Sequence, residues 1–126
     1  MNFLITTLIA SLCLYGIHAY ALTHFLYFHV EWFDSVVHVL GGFTLGLLVL
    51  IPRIEKSITH RAVYTSILGA FLFSLIWELF EYKIGMTFVS PKYFDRYVYD
   101  TITDVVFGTL GGFCAGCTAL IVIVKK

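Results

Sequence analysis

The last apolar run of the chain has the sequence VVFGTLGGFCAGCTALIVIV, residues 105–124, and contains no Asp, Glu, Lys or Arg. Three further runs without these residues occupy 1–30, 35–52 and 62–77. A helix needs roughly 20 apolar residues to cross a hydrocarbon core of about 30 Å. Four such runs, with their flanking residues, fill the chain and leave no length for a soluble domain. The pattern predicts an all-α, polytopic membrane protein, a single transmembrane domain over residues 1–126 built as a four-helix bundle.

The composition indicates the same class of protein. Hydrophobic residues make up 60% of the chain and charged residues 13%, whereas soluble domains have roughly 45–50% apolar and about 25% charged residues. Eight Lys and Arg balance eight Asp and Glu, so the basic excess that nucleic-acid binding requires is missing. We therefore expect the lipid bilayer, and no nucleic acid, as the partner of this chain.

The helix-end signals divide the chain into four predicted spans, at about 3–22, 34–51, 62–82 and 100–124. Before the last span, Ser90-Pro91 matches the preference for Ser at a helix N-cap and Pro at the first helical position. Aromatic residues mixed with charged ones follow it, as is typical of the headgroup level of a membrane. We therefore predict a short interfacial helix before the last span.

The basic residues of the short connectors predict the orientation. One side of a four-span arrangement would carry Arg53, Lys56, Arg61, Lys125 and Lys126, and the other Lys83, Lys92 and Arg96. Cytoplasmic loops carry the excess of Lys and Arg. We therefore expect a multi-pass protein of the cytoplasmic (inner) membrane with both termini in the cytoplasm.

Three pairs of ionisable residues lie inside or at the rim of the apolar runs. The pairs are Asp34 with His38, Glu78 with Glu81, and Asp100 with Asp104. Their spacings of three or four residues place each pair on one helix face. Counting about 1.5 Å of rise per residue from the cytoplasmic charges puts all three pairs near the outer side of the membrane. The sequence thus predicts that three helices bring their polar residues to one level.

Small residues continue two of these faces into the membrane. Asp34, His38, Gly42 and Gly46 form one stripe at four-residue spacing, and Asp100, Asp104, Gly108, Gly112 and Gly116 form another. Small residues at this spacing let helix backbones approach closely in lipid. We therefore expect the two glycine-lined faces to meet in the core of the bundle.

The clustered acids need compensation, since a charge in hydrocarbon costs at least about 2.5–3.5 kcal/mol on insertion scales. Oxygen-rich ligands with one imidazole favour Mg²⁺, Mn²⁺, Ca²⁺ or Fe²⁺ over a thiolate zinc site. The predicted metal ligands are Asp34, His38, Glu78, Glu81, Asp100 and Asp104. Two alternatives stay open: protonated or hydrogen-bonded residues that join the helices, and a proton or ion relay.

Three motifs follow one another along the chain: Asp34-x-x-x-His38, then Trp77-Glu78-x-x-Glu81, then Arg96…Asp100-x-x-x-Asp104-x-x-x-Gly108. This order resembles that of the small VanZ-like and YjdF-like bacterial inner-membrane proteins. The resemblance covers residues 34–112. Glu81 and Asp104 stand where the VanZ pattern usually has Gln and Asn, which favours the YjdF-like branch. The resemblance implies a protein of a bacterial or archaeal cytoplasmic membrane, and it implies no defined activity.

Three functions are compatible with this pattern. The first is a divalent-cation-dependent enzyme on a lipid or lipid-linked phosphate, with His38 or Glu78 as catalytic acid or base and Arg96 or Lys92 binding the phosphate. The second is a non-enzymatic cation binder or transporter. The third is a structural subunit of a homo-oligomer or larger membrane complex, with the glycine faces as partner interfaces.

Overall fold

The computed structural model describes residues 3–30, 32–53, 61–84 and 94–124. Its helices are α1 (Phe3–Thr23), α2 (Leu26–His29), α3 (Phe33–Leu48), α4 (Arg61–Ile84) and α5 (Phe94–Val124), with a 3₁₀ turn at Ile51–Arg53. These described ranges contain no β-strand. The predicted all-α class is therefore confirmed for this part of the chain.

Three helices are long and apolar enough to cross a membrane: Phe3–Thr23, Arg61–Ile84 and the Phe94–Val122 portion of α5. The fourth apolar helix, α3, is shorter, with 16 residues and a length of about 24 Å. We expected this span to continue to residue 51, but the helix ends at Leu48 and a 3₁₀ turn follows. Pro52 lies within this 3₁₀ turn, and because proline has no N–H it cannot make the hydrogen bond to the carbonyl of residue 48 that would continue the α-helix.

The start of the last helix also differs from expectation. Residues 94–99, expected to lie before the span, form the first turns of α5 without a break. Residues 94–105 contain no Gly or Pro, so nothing in their sequence ends a helix there. The predicted helix start at Ser90-Pro91 lies outside the described residues. Within the described range, the interfacial segment and the span are one helix.

The centre of the bundle is formed by α3, α4 and α5, which pack against one another, while α1 packs mainly on α3. The glycine faces of α3 and α5 meet, as their stripes predict. A Cβ atom added at Gly42 would overlap the backbone of Gly108, and one added at Gly46 would lie 2.8 Å from the Cβ of Ala115. The close approach of α3 and α5 therefore depends on glycine, which has no side chain, at these positions.

The other side of α5 meets α4 in the same way. A Cβ atom added at Gly112 would lie 2.7 Å from the carbonyl oxygen of Ser66, and one at Gly116 would lie 2.7 Å from the Cα of Val63. The Ser66 hydroxyl also donates a buried 2.9 Å hydrogen bond to the Gly46 carbonyl oxygen, joining α4 to α3. Small side chains and the Ser66 hydrogen bond thus hold α3, α4 and α5 in a narrow core.

Candidate metal centre

The polar residues of three helices meet around one imidazole. The Nε2 atom of His38, in α3, lies 3.7 Å from Asp34 Oδ1, 3.9 Å from Glu78 Oε1 and 3.8 Å from Asp104 Oδ2. Direct N–H···O hydrogen bonds are roughly 2.7–3.2 Å long, so none of these contacts is one. We call these four residues the acid–histidine cluster. Its geometry is that of three carboxylates arranged around one nitrogen.

The side chains of the acid–histidine cluster are largely buried. The exposed fraction is 9% for His38, 5% for Glu78 and 3% for Asp104, and Asp34 is half-buried. Burying a carboxylate is costly unless an opposite charge or hydrogen bonds compensate it. No described Lys or Arg side chain forms an ion pair with these three acids. Among the described residues, bound protons or a bound cation would compensate these acids.

The spacing of the ligand atoms fits a cation. Asp34, His38 and Asp104 each offer one ligand atom, and these atoms all lie within 4.8 Å of one another. Two ligands that bind one ion at about 2.0–2.3 Å are separated by about 3–4.6 Å. The three residues can therefore reach a common ion with small side-chain movements. One nitrogen and several carboxylate oxygens also form a ligand set that divalent first-row ions accept.

Glu78 adds a fourth ligand atom directed into the cluster. Its Oε1 atom is buried and has no hydrogen-bond partner within the described part of the chain. The other oxygen, Oε2, accepts a 2.9 Å hydrogen bond from the hydroxyl of Thr101 in α5. Buried polar atoms are rarely left without a partner. One oxygen of Glu78 is therefore anchored, while the other is available to a ligand beside His38.

Two of the six predicted metal ligands lie outside this arrangement. The indole Nε1 of Trp77 donates a 2.8 Å hydrogen bond to Glu81 Oε1, which holds the half-buried Glu81 carboxylate against its own helix. Asp100 is exposed, one turn before Asp104 on α5. Neither residue belongs to the group of close ligand atoms in the described structure. The close group comprises Asp34, His38 and Asp104, and Glu78 adjoins it through its Oε1 atom, 3.9 Å from His38 Nε2.

Arg96, one of the two predicted phosphate ligands, is also separate from the cluster. Arg96 is exposed near the start of α5, about 12 Å before Asp104 by helical rise. Lys92 lies outside the described residues. Any contact of Arg96 with a phosphate would therefore take place beside the cluster rather than within it.

A second polar contact lies where α1 approaches this end of the bundle. The hydroxyl of Tyr27, in α2, is 2.7 Å from Nδ1 of His18. Burial, together with the nearby Asp34 and Glu81 carboxylates, raises the pKa of Tyr27 to about 12. The Tyr27 hydroxyl therefore keeps its proton and shares one hydrogen bond with the His18 ring nitrogen.

Thr101 and Tyr27 are the residues that the sequence reasoning missed. Thr101 stands three residues before Asp104, so the same helix-face argument that paired the acids could have included it. No comparable spacing signal links Tyr27 to His18, because they lie on separate helices joined by a turn at Phe25, whose φ of 55° is left-handed.

The fold and the cluster define a small α-helical membrane protein with a buried acid–histidine site. The family described as "Predicted membrane protein (DUF2238)" matches residues 1–125, and the chain belongs to this family. This family description does not support the VanZ-like or YjdF-like name that the resemblance of the motifs suggests. No curated protein and no solved structure matches the chain. Membership of the family establishes a membrane protein but no activity. A function can be inferred only from the geometry of the acid–histidine cluster.

Proposed function

We propose that this protein binds one divalent cation between α3, α4 and α5, with Asp34, His38, Glu78 and Asp104 as ligands. The observation that carries the proposal is the buried Glu78 Oε1 atom, which has no hydrogen-bond partner among the described residues and lies 3.9 Å from His38 Nε2. A buried polar atom without a partner costs roughly 1–3 kcal/mol, and more for a charged group. A cation would satisfy this oxygen and neutralise the neighbouring acids together.

The packing below the cluster favours a resident ion over a transport path. One helical turn further along, the backbones of α3 and α5 come together at Gly42 and Gly108, and they stay close at Gly46 and Gly112. Passage along this seam would require the helices to separate. We therefore infer a cation that stays bound at one end of the bundle, in preference to one that crosses it.

We propose a four-span arrangement for the chain in its membrane. The fourth span is α3, whose length of about 24 Å is shorter than a hydrocarbon core of about 30 Å. Locally thinned bilayer and the residues that flank a short helix commonly make up such a difference. In this arrangement both termini are cytoplasmic, the membrane is a bacterial inner membrane as in the VanZ-like and YjdF-like proteins, and the cluster lies on the outer side.

A second candidate, a cation-dependent enzyme acting on a lipid-linked phosphate, is favoured by the position of Arg96. This guanidinium is exposed on the helix that supplies Asp104, about two turns nearer the helix end. Arginine suits phosphate because its fork of donors matches two phosphate oxygens. In this candidate, Arg96→Gln weakens binding of an anionic phospholipid without changing cation affinity. Unchanged phospholipid binding in Arg96→Gln would contradict this second candidate.

Titration of Mn²⁺ into the detergent-purified protein, with elemental analysis of the product, tests the proposed cation site. We expect one ion per chain, and we expect binding to be lost in Asp104→Asn. Asp95→Asn is the matched control, since Asp95 is an exposed residue in the first turn of the same helix. Absence of binding, or equal losses in both variants, would contradict the proposal.

A further inference from the structure

Thr101 makes a hydrogen bond unlike those of the neighbouring threonines of α5. Thr103 and Thr109 each donate to the backbone carbonyl four residues earlier in their own helix. Thr101 donates instead to Oε2 of Glu78, a side-chain atom of α4, at 2.9 Å. Its hydroxyl therefore fixes the rotation of a carboxylate whose other oxygen lies beside His38.

The orientation of Glu78 limits how it can bind an ion. With Oε2 turned towards Thr101 and Oε1 turned towards His38, the carboxylate presents one oxygen to the cluster. Binding through both oxygens would require the carboxylate to rotate until both face the ion, away from the orientation that the Thr101 hydrogen bond holds. Outer hydrogen bonds of this kind commonly orient the residues that ligate metals.

One-oxygen binding distinguishes between cations. Ca²⁺ takes six to eight oxygen ligands, often with a carboxylate bound through both oxygens, at about 2.3–2.6 Å. A set of one imidazole and three carboxylates bound through single oxygens instead suits a first-row transition ion such as Mn²⁺ or Fe²⁺. We infer that Thr101 is a positioning residue which holds Glu78 as a one-oxygen ligand and so gives the site a preference for Mn²⁺ over Ca²⁺. This inference rests on the proposed cation site.

The test compares Mn²⁺ and Ca²⁺ affinities, by calorimetric titration in detergent, for the unmutated protein and three variants. Thr101→Val keeps the shape and removes the donor, and Thr101→Ser restores the donor. Thr103→Val is the matched control, because among the described residues the Thr103 hydroxyl donates to Tyr99 O of its own helix and to no side chain of the cluster. We expect Thr101→Val to lose about 10- to 100-fold in Mn²⁺ affinity. The Mn²⁺/Ca²⁺ ratio should fall with it, while Thr101→Ser and Thr103→Val stay near the unmutated protein.

The outcomes separate this inference from the cation site itself. If the unmutated protein binds neither ion, the proposed function fails and the inference fails with it. If it binds Mn²⁺ but Thr101→Val has the same Mn²⁺/Ca²⁺ ratio, the site stands and the role of Thr101 is wrong. Equal losses in Thr101→Val and Thr103→Val, with lower melting temperatures in the absence of metal, would also overturn that role, because they indicate general damage to α5.

Discussion

The side chains of His38 and Asp104 approach to 3.8 Å, and the glycines four residues after each of them, Gly42 and Gly108, bring the same two helices into backbone contact. Four residues are about one helical turn. The glycine contact therefore sets the separation of α3 and α5 at the level where these side chains meet. Helix packing and the geometry of the acid–histidine cluster are two consequences of one sequence pattern.

Gly42→Ala should damage both the bundle and the site. Its Cβ atom would lie 2.6 Å from the carbonyl carbon of Gly108, whereas a Cβ atom at Gly41 would have no neighbour within 4 Å. Alanine favours a helix by about 1 kcal/mol over glycine, so Gly41→Ala should be neutral or stabilising. Overpacking at Gly42 should destabilise the fold by at least about 1–3 kcal/mol. Thermal melting in detergent measures the stability of the two variants. Equal changes in melting temperature would show that the glycine contact does not control packing.

Glu78 and Asp104 should act as one unit in cation binding. Both lie within 3.9 Å of His38 Nε2, and residues that share a partner have non-additive effects. Glu78→Gln and Asp104→Asn remove charge and keep shape. Each alone should abolish most of the Mn²⁺-dependent rise in melting temperature, and the double variant should lose little more. Fully additive losses would keep an ion but deny a shared site.

Asp34 and Glu81 should differ in their effect on Mn²⁺ affinity, although both were predicted as ligands. Asp34 Oδ1 lies 3.7 Å from His38 Nε2, while the Glu81 carboxylate accepts a hydrogen bond from Trp77. We expect Asp34→Asn to weaken binding at least about tenfold, in line with the loss of a metal ligand or its support. Glu81→Gln should change it less than about fivefold, the scale of a partly exposed charge. A larger loss in Glu81→Gln would mean that the ion lies nearer α4 than the cluster indicates.

Cysteine labelling tests the four-span topology. In a background without Cys13, Cys114 and Cys117, reporters at Ser57 and Ser90 should label from opposite sides of the membrane, with Ser90 on the outside. The reason is the excess of basic residues near Ser57, which favours the cytoplasm. External labelling at both positions would mean that α4 does not cross the bilayer.

Much of the helical core could be predicted from the spacing of residues. The charge-free runs indicated the apolar helices, and the glycine stripes indicated which faces of α3 and α5 meet. The depth estimate brought His38, Glu78 and Asp104 to one level, because helical rise is nearly constant. These predictions use only the spacing of residues along a helix, and the backbone geometry of a helix is nearly constant.

The side-chain hydrogen bonds could not be predicted in the same way. Glu78 and Glu81 have equivalent positions in the sequence pattern, yet one carboxylate turns into the bundle and the other towards Trp77. That choice depends on side-chain rotation and on the distance between α4 and α5, neither of which follows from spacing. The contact of Thr101 with Glu78 depends on the same two quantities.

The coordination of Mn²⁺ by His38 tests the account most directly, and pulsed electron paramagnetic resonance of the Mn²⁺-loaded protein in detergent measures it. Imidazole is a common metal ligand, and its directly bound nitrogen couples to the electron spin of the ion. We predict coupling to one imidazole nitrogen, lost in His38→Gln and kept in the control His24→Gln, since His24 is exposed at the end of α1. A Mn²⁺ signal without nitrogen coupling, or a coupling that survives His38→Gln, would contradict a cation site in the acid–histidine cluster.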